Sequence, residues 1–255
     1  AIPVNGDDVI VNNSNVPLLW NLQALAAVQF NSFVRWQSFT GTIGLPENNP
    51  NNYIEYRPTY FQFTGPPAGV LQMTLGEGVT GSGPTRERYN IGAQQVNLSA
   101  VAAGSPQDAY AIRFLGTNAA NTITVYGVSM GIAMLTGEVA TISSINITAG
   151  ASVSLGQGVT FAGASLLQVT GSQCFLCAVA NQIIVGSSFL TVATTGPAAS
   201  YPAISALNGS TVNWPSNYNI TQLTLTTNSQ FVKTGAAITL TNANIDGDTC
   251  IINDT

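Results

Sequence analysis

Few residues in this chain could do chemistry. There are eleven aspartates and glutamates, six lysines and arginines, three cysteines and no histidine in 255 residues. Serines are plentiful, but with no histidine and with Lys233 as the single lysine, the usual hydrolase arrangements lack a base. A carboxylate pair is the remaining route, because glycoside hydrolysis needs only two such groups roughly 5 to 10 Å apart. Glu47, Glu55, Glu77, Glu87, Asp108 and Glu138 are the residues to consider, and they fall on loops and strand ends in no recognisable motif. They read as solvated acids at turns, and no enzymatic activity is expected.

Metal ligands are equally sparse. Asp246-Gly247-Asp248, with Asp254 downstream, has some character of a calcium loop, as does Asp7-Asp8. An EF-hand would need oxygen ligands at five or six defined positions ending in glutamate, and those are missing. Asp-Gly is first a turn dipeptide, so a structural calcium at Asp246 and Asp248 stands as the alternative and no other cofactor is expected. Cys174 and Cys177 form one C-x-x-C without a second pair or a histidine to complete a zinc site. On a strand their side chains would point to opposite faces, which disfavours a disulfide. Buried free thiols are the first reading, with the pairing state of Cys250 open. For recognition, Trp214 and Tyr218 in Asn213-Trp214-Pro215-Ser216-Asn217-Tyr218-Asn219 could stack on a sugar amid amides and hydroxyls, or could plug the end of a β domain.

The elements that must position these groups are strands. Val16 to Trp36 is the one helical candidate, with Leu18, Leu22, Leu25 and Gln29 on one face and Pro17 in its first turn. Its tail, Phe30 to Phe39, already patterns as strand. The run from Pro46 to Asn52 reads as a loop. Beyond Tyr53, period-two alternation recurs over Tyr53 to Phe63, Val70 to Leu75, Val96 to Ala102, Ala109 to Leu115 and Thr122 to Leu135, broken by glycine and proline turns. Such spacing predicts an all-β protein with a jelly-roll-like β-sandwich in its N-terminal part and antiparallel neighbours. Near Gly137 the composition changes. Short β blocks closed by glycine follow at Ile145 to Gly150, Val153 to Gly158, Val159 to Gly163 and Leu167 to Gly171. They suit either a second β-sandwich or a short β-solenoid, and the chain divides into residues 1–136 and 137–255.

Charge excludes some functions. The formal net charge is -5 and the arginines Arg35, Arg57, Arg86, Arg88 and Arg113 are scattered, so no nucleic-acid footprint exists. No apolar run approaches the ~20 residues of a membrane-spanning helix. The chain opens Ala1-Ile2-Pro3 without methionine or a signal-peptide pattern, so N-terminal processing or trimming is expected and any original targeting signal is not visible. With only 7% of residues charged, the surface must be amide, hydroxyl and apolar groups. That surface is poorly protected against association, and an oligomer is expected, a trimer or a larger symmetric array, with the C-terminal β region carrying much of the contact.

This charge-poor texture of Gly, Ser, Thr, Asn and Ala, clearest in Ala149 to Gly171 and Ile220 to Asn244, resembles structural proteins of bacteriophage virions: capsid, capsid-decoration and head or tail fibre proteins. The resemblance implies a virion location, other virion proteins as partners, and a host surface glycan as a further partner. It transfers no role to any single residue. The competing reading is an extracellular carbohydrate-binding or adhesin-like β module, which would work as a monomer with a concave aromatic site.

Overall fold

The computed structural model describes residues 2–19, 22–45, 58–78, 81–106, 109–193, 200–247 and 249–254. In chain order its strands begin with β1 (Asp8–Val11), β2 (Ser32–Trp36), β3 (Phe61–Gln62), β4 (Leu71–Glu77), β5 (Glu87–Asn90), β6 (Val96–Ala100) and β7 (Ile112–Leu115). Next come β8 (Thr122–Tyr126), β9 (Ser129–Ile132), β10 (Ala140–Thr148), β11 (Ser152–Leu155), β12 (Val159–Thr170), β13 (Gln173–Leu176) and β14 (Gln182–Gly186). The last seven are β15 (Phe189–Val192), β16 (Ser200–Leu207), β17 (Thr211–Trp214), β18 (Asn219–Thr226), β19 (Gln230–Lys233), β20 (Leu240–Asp246) and β21 (Ile251–Asp254).

From β2 onward the chain alternates between two parallel sheets. Sheet A has eleven strands, β1 followed by the even-numbered ones, and sheet B has ten, the odd-numbered ones from β3 to β21. Each turn of chain lays one strand on each sheet, which makes a single continuous parallel β-solenoid. The expected sandwiches are therefore corrected: sequence neighbours cross to the opposite sheet, and hydrogen-bond partners lie one full rung away. A period of two is the same in both architectures, so alternation alone could not separate them. Nor is there a fixed repeat to find, since paired positions on successive rungs are 25 residues apart at Asn97 and Thr122 but 16 at Ser172 and Ser188. Both sheets run through residue 137 without a break, with β8 on β10 and β9 on β11.

Among the described residues of Val16 to Trp36, the expected helix gives way to a 3-10 turn, Leu22–Leu25, followed by strand β2. Tertiary packing overrides local propensity here: Phe30 and Phe33 are wholly buried and pack against Phe61 and Phe63, with centroids 4.9 Å apart for Phe30–Phe63 and 5.7 Å for Phe33–Phe61. The expected loop from Pro46 to Asn52 lies outside the described residues, and the strand expected over Tyr53 to Phe63 is described only from residue 58.

In-register stacking builds the core. Phe33, Met73, Leu98, Ile123, Ile145, Leu167, Ile183, Ile204 and Leu223 form one inward column along sheet A. Opposite it on sheet B run Ile112, Met130, Val153, Cys174, Leu190, Val212 and Phe231. Parallel strands must be covered on their inner faces, and each sheet covers the other.

The corner from sheet A to sheet B repeats a backbone device. Ala149, Ser187, Asn208 and Thr227 all take positive φ, between 47° and 58°, followed by a small residue facing inward. On the later rungs that residue is serine. Ser172, Ser188, Ser210 and Ser229 are all buried, and the Ser188 hydroxyl accepts from the Ser172 amide (3.0 Å) while donating to the Gly186 carbonyl (2.7 Å). Buried hydroxyls are tolerated because each is hydrogen-bonded.

Candidate functional site

Two polar groupings and one open aromatic surface could carry function. The first grouping lies in the bore. Arg35 on β2 and Glu87 on β5 form a two-pronged ion pair, and Tyr89 donates its hydroxyl to Glu87 Oε2 at 2.6 Å. All three are fully buried. Burial pushes the Glu87 carboxyl up, against the opposing pull of Arg35 and the Tyr89 hydroxyl, and burial together with the Glu87 charge pushes the Tyr89 phenol well up. No solvent or substrate reaches this pair, so its role is structural.

The second grouping lies on the outer face of sheet B. Arg88 and Arg113 are register partners on β5 and β7, and both are buried beneath the chain around Tyr110. Arg88 Nη1 donates to the Tyr110 carbonyl at 3.3 Å, Arg113 lies 5.8 Å from the Tyr110 ring centroid, and the Tyr110 hydroxyl donates to Ser154 Oγ at 2.6 Å. Gly131 makes room for that ring, since a Cβ there would come within 2.9 Å of Tyr110 Cδ2. Alongside, Glu138 accepts from the Tyr60 hydroxyl and from the Leu135 amide (2.9 Å). It borders a hollow of about 260 Å³ that Met134, Gln157 and Gly158 also line. Burial, then the hydrogen bond to Glu138, raises the Tyr60 phenol far above its usual value. Tyr60 stays protonated near neutral pH and both Glu138 oxygens are engaged, so the arrangement clamps the 133–139 corner to the sheet.

Beyond β11 this outer face opens and becomes neutral. Gln173, Phe175, Phe189, Thr191, Thr211 and Asn213 take its outward positions on β13, β15 and β17. Phe175 is 41% and Phe189 59% exposed. Phe175 sits opposite Thr191 and Phe189 opposite Gln173, so the rings are diagonal neighbours, roughly 8 Å apart at the backbone from strand spacing and rise. Beside Phe189 is a recess of about 170 Å³ lined by Gly150, Gly171, Ser172, Gln173 and Ser187. Gly150 and Gly171 form part of its wall, and a Cβ on either would meet nothing within 4 Å.

The residues singled out by sequence fare differently. Trp214 is 0% exposed, packs against Tyr201 at 4.9 Å and Phe231 at 5.7 Å, and donates its indole N–H to the Tyr218 carbonyl at 3.2 Å. Tyr218 is buried with it. Their expected exposed sugar platform is thus corrected: Trp214 is at an inward position on β17, and the Trp-Pro segment plugs the core. Asp246 is exposed at the end of β20, while Asp248 lies outside the described residues. Among the described residues no three His, Cys, Asp or Glu side chains gather to hold a metal. Asp7 and Asp8 accept instead from the Val4 amide and the Ser32 hydroxyl, at 2.9 and 2.7 Å. Of the carboxylates weighed for a catalytic pair, Glu47, Glu55 and Asp108 lie outside the described residues, Glu87 is inside the bore, and Glu77 is exposed at the end of β4. All three cysteines are free, but only Cys174 is buried, and Cys177 and Cys250 are partly exposed.

The sequence reading does not single out Phe175 or Phe189. Their signal is that Cys174 and Leu176, and Leu190 and Val192, fill the inward positions of β13 and β15, which leaves the intervening aromatic outside. Among the described residues no helix is long and apolar enough to cross a membrane. No family model, no curated protein and no solved structure matches this chain.

Proposed function

We propose that this protein is a non-enzymatic structural subunit of a virus particle that forms or decorates the outer capsid or a fibre through symmetric self-association. The observation that carries the reading is the outward face of sheet A. Thr124, Asn146, Gln168, Ile184, Ser205, Thr224 and Asn244 share one outward column, and Thr122, Ser144, Leu166, Gln182, Ala203, Gln222 and Asn242 belong to the next; between β8 and β20 neither column holds a charged side chain, and the second reaches a charge only at Asp8 on β1. Parallel in-register strands hold this face regular over successive rungs. A second copy can meet it without stranding a buried charge, because amides and hydroxyls pair with one another across the contact. A contact of roughly 1,000 Å² or more is needed for a specific interface, and a face this long can supply it.

Sedimentation across micromolar concentrations tests the proposal. The expected result is a discrete species several times the 26.4 kDa chain mass. Thr224→Lys, which places a charge in the column, should weaken association and leave the circular dichroism spectrum unchanged. A chain that remains at monomer mass throughout, or a Thr224→Lys variant that associates as the parent does, rejects the proposal.

A further inference from the structure

We infer that the outer face of sheet B around Phe175 and Phe189 binds a neutral glycan, with Phe189 as the stacking ring and the adjoining recess as the seat of one sugar unit. The inference is independent of self-association, which uses the opposite sheet. Three features converge on this ligand. Two phenylalanines stand exposed on adjacent parallel strands, and an apolar ring face is what the C–H face of a pyranose packs against. The flanking groups are the Gln173 amide and the Ser187 hydroxyl, which line the recess beside Phe189 and can bond to sugar hydroxyls. Ser187 Oγ donates to the Asn208 carbonyl at 3.1 Å, which turns its lone pairs to an incoming donor.

Charge selects among sugars. The outward positions of β13, β15 and β17 hold amide, hydroxyl and aromatic groups, so nothing there would offset a uronate, sialate or phosphate brought out of water. The recess, at about 170 Å³, is below the size of drug-like pockets and suits a single ring, while the second phenylalanine one strand away extends the contact along a chain of sugars.

Affinity electrophoresis of the purified protein in native gels tests the inference. The gels would contain soluble neutral polysaccharides built from glucose, mannose, galactose or N-acetylglucosamine, with polygalacturonate as the charged comparison. At least one neutral polymer is expected to retard the protein and polygalacturonate is not. Phe189→Ala should weaken that retardation by about tenfold or more and Phe175→Ala by less, while Phe189→Trp should restore it. Thermal melting of each variant controls for folding. Failure of every neutral polymer to retard the parent protein overturns the inference, as does equal retardation of the Phe189→Ala variant. If Phe189→Ala instead changes sedimentation and leaves polymer binding untouched, the face is a protein contact and the glycan assignment falls. Thr224→Lys should leave the gel result unchanged, so failure here and failure of the assembly proposal are separable.

Discussion

Arg35 and Glu87 grip each other across the bore, with Arg35 Nη2 2.6 Å from Glu87 Oε1 and Nε 3.0 Å from Oε2. Each sits in a column that is otherwise apolar: Arg35 lies between Val11 and the run Leu75, Ala100, Val125 and Ile147, and Glu87 between Ile43 and the run Ile112, Met130 and Val153. The pair joins sheet A to sheet B near the N-terminal end of the core, where phenylalanines crowd the same space. Burial raises the Glu87 carboxyl despite the attraction of Arg35, so the pair is expected to specify how the two sheets meet more than to add net stability.

Breaking the pair should cost far more than replacing it. Glu87→Leu alone leaves a buried guanidinium and is expected to lose about 3–5 kcal/mol, whereas Arg35→Met with Glu87→Leu should recover most of that loss. Urea unfolding of the two single variants and the double variant gives the coupling, and simple additivity would contradict it. The pH dependence has a definite sign. A carboxyl raised on folding contributes stability that is present below its unfolded value, roughly 4.3, and lost as pH rises through the folded value. The double variant should lack that part of the slope.

Ser210→Ala should cost about 1–3 kcal/mol in chemical denaturation. The hydroxyl accepts from the Ser188 amide at 3.4 Å and lies 2.8 Å from the Val185 carbonyl as a donor, all in a buried corner, so its loss leaves a buried N–H unpaired. Thr221→Ala, at an exposed position, should stay within about 0.5 kcal/mol. Equal effects would show that the serine column has no structural role.

Burial raises the Cys174 thiol strongly, with a smaller contribution from Cys177, and little thiolate forms there near neutral pH. Alkylation of the native protein followed by peptide mass analysis should leave Cys174 unmodified while the partly exposed Cys250 reacts. Cys174 should label only after denaturation. Modification of Cys174 at the rate of Cys250 would mean that β13 opens readily.

Gly158→Ala should destabilise by about 2 kcal/mol or more, because a Cβ at that position would fall 1.9 Å from the Glu138 carbonyl oxygen, a backbone atom that cannot rotate away. The displacement should also loosen the bond between Tyr60 and Glu138. A thermal melt indistinguishable from the parent would show that the 133–139 corner is free to move.

Alternation alone determined that the chain is all-β, and it placed Ile145, Ile147, Leu167 and Val169 on buried faces, because a period of two follows from strand geometry whatever the strand pairs with. Scarcity of charge likewise determined that most of the surface would be amide, hydroxyl and apolar groups, as it is on the outward columns of sheet A from β8 to β18. Only the tertiary structure decided that neighbouring strands are parallel and a rung apart, since rungs of unequal length leave no repeat in the sequence and the partner of each strand is set by long-range packing. The same packing turned Val16 to Trp36 from a helix candidate into a 3-10 turn and a strand, since the aromatic cluster at Phe30 and Phe33 outweighs local helix preference. It also decided which aromatics face water: Trp214, in a segment that reads as a loop, ends strand β17 at an inward position, whereas Phe175 takes an outward position on β13, and that depends on which side of each strand meets the opposite sheet.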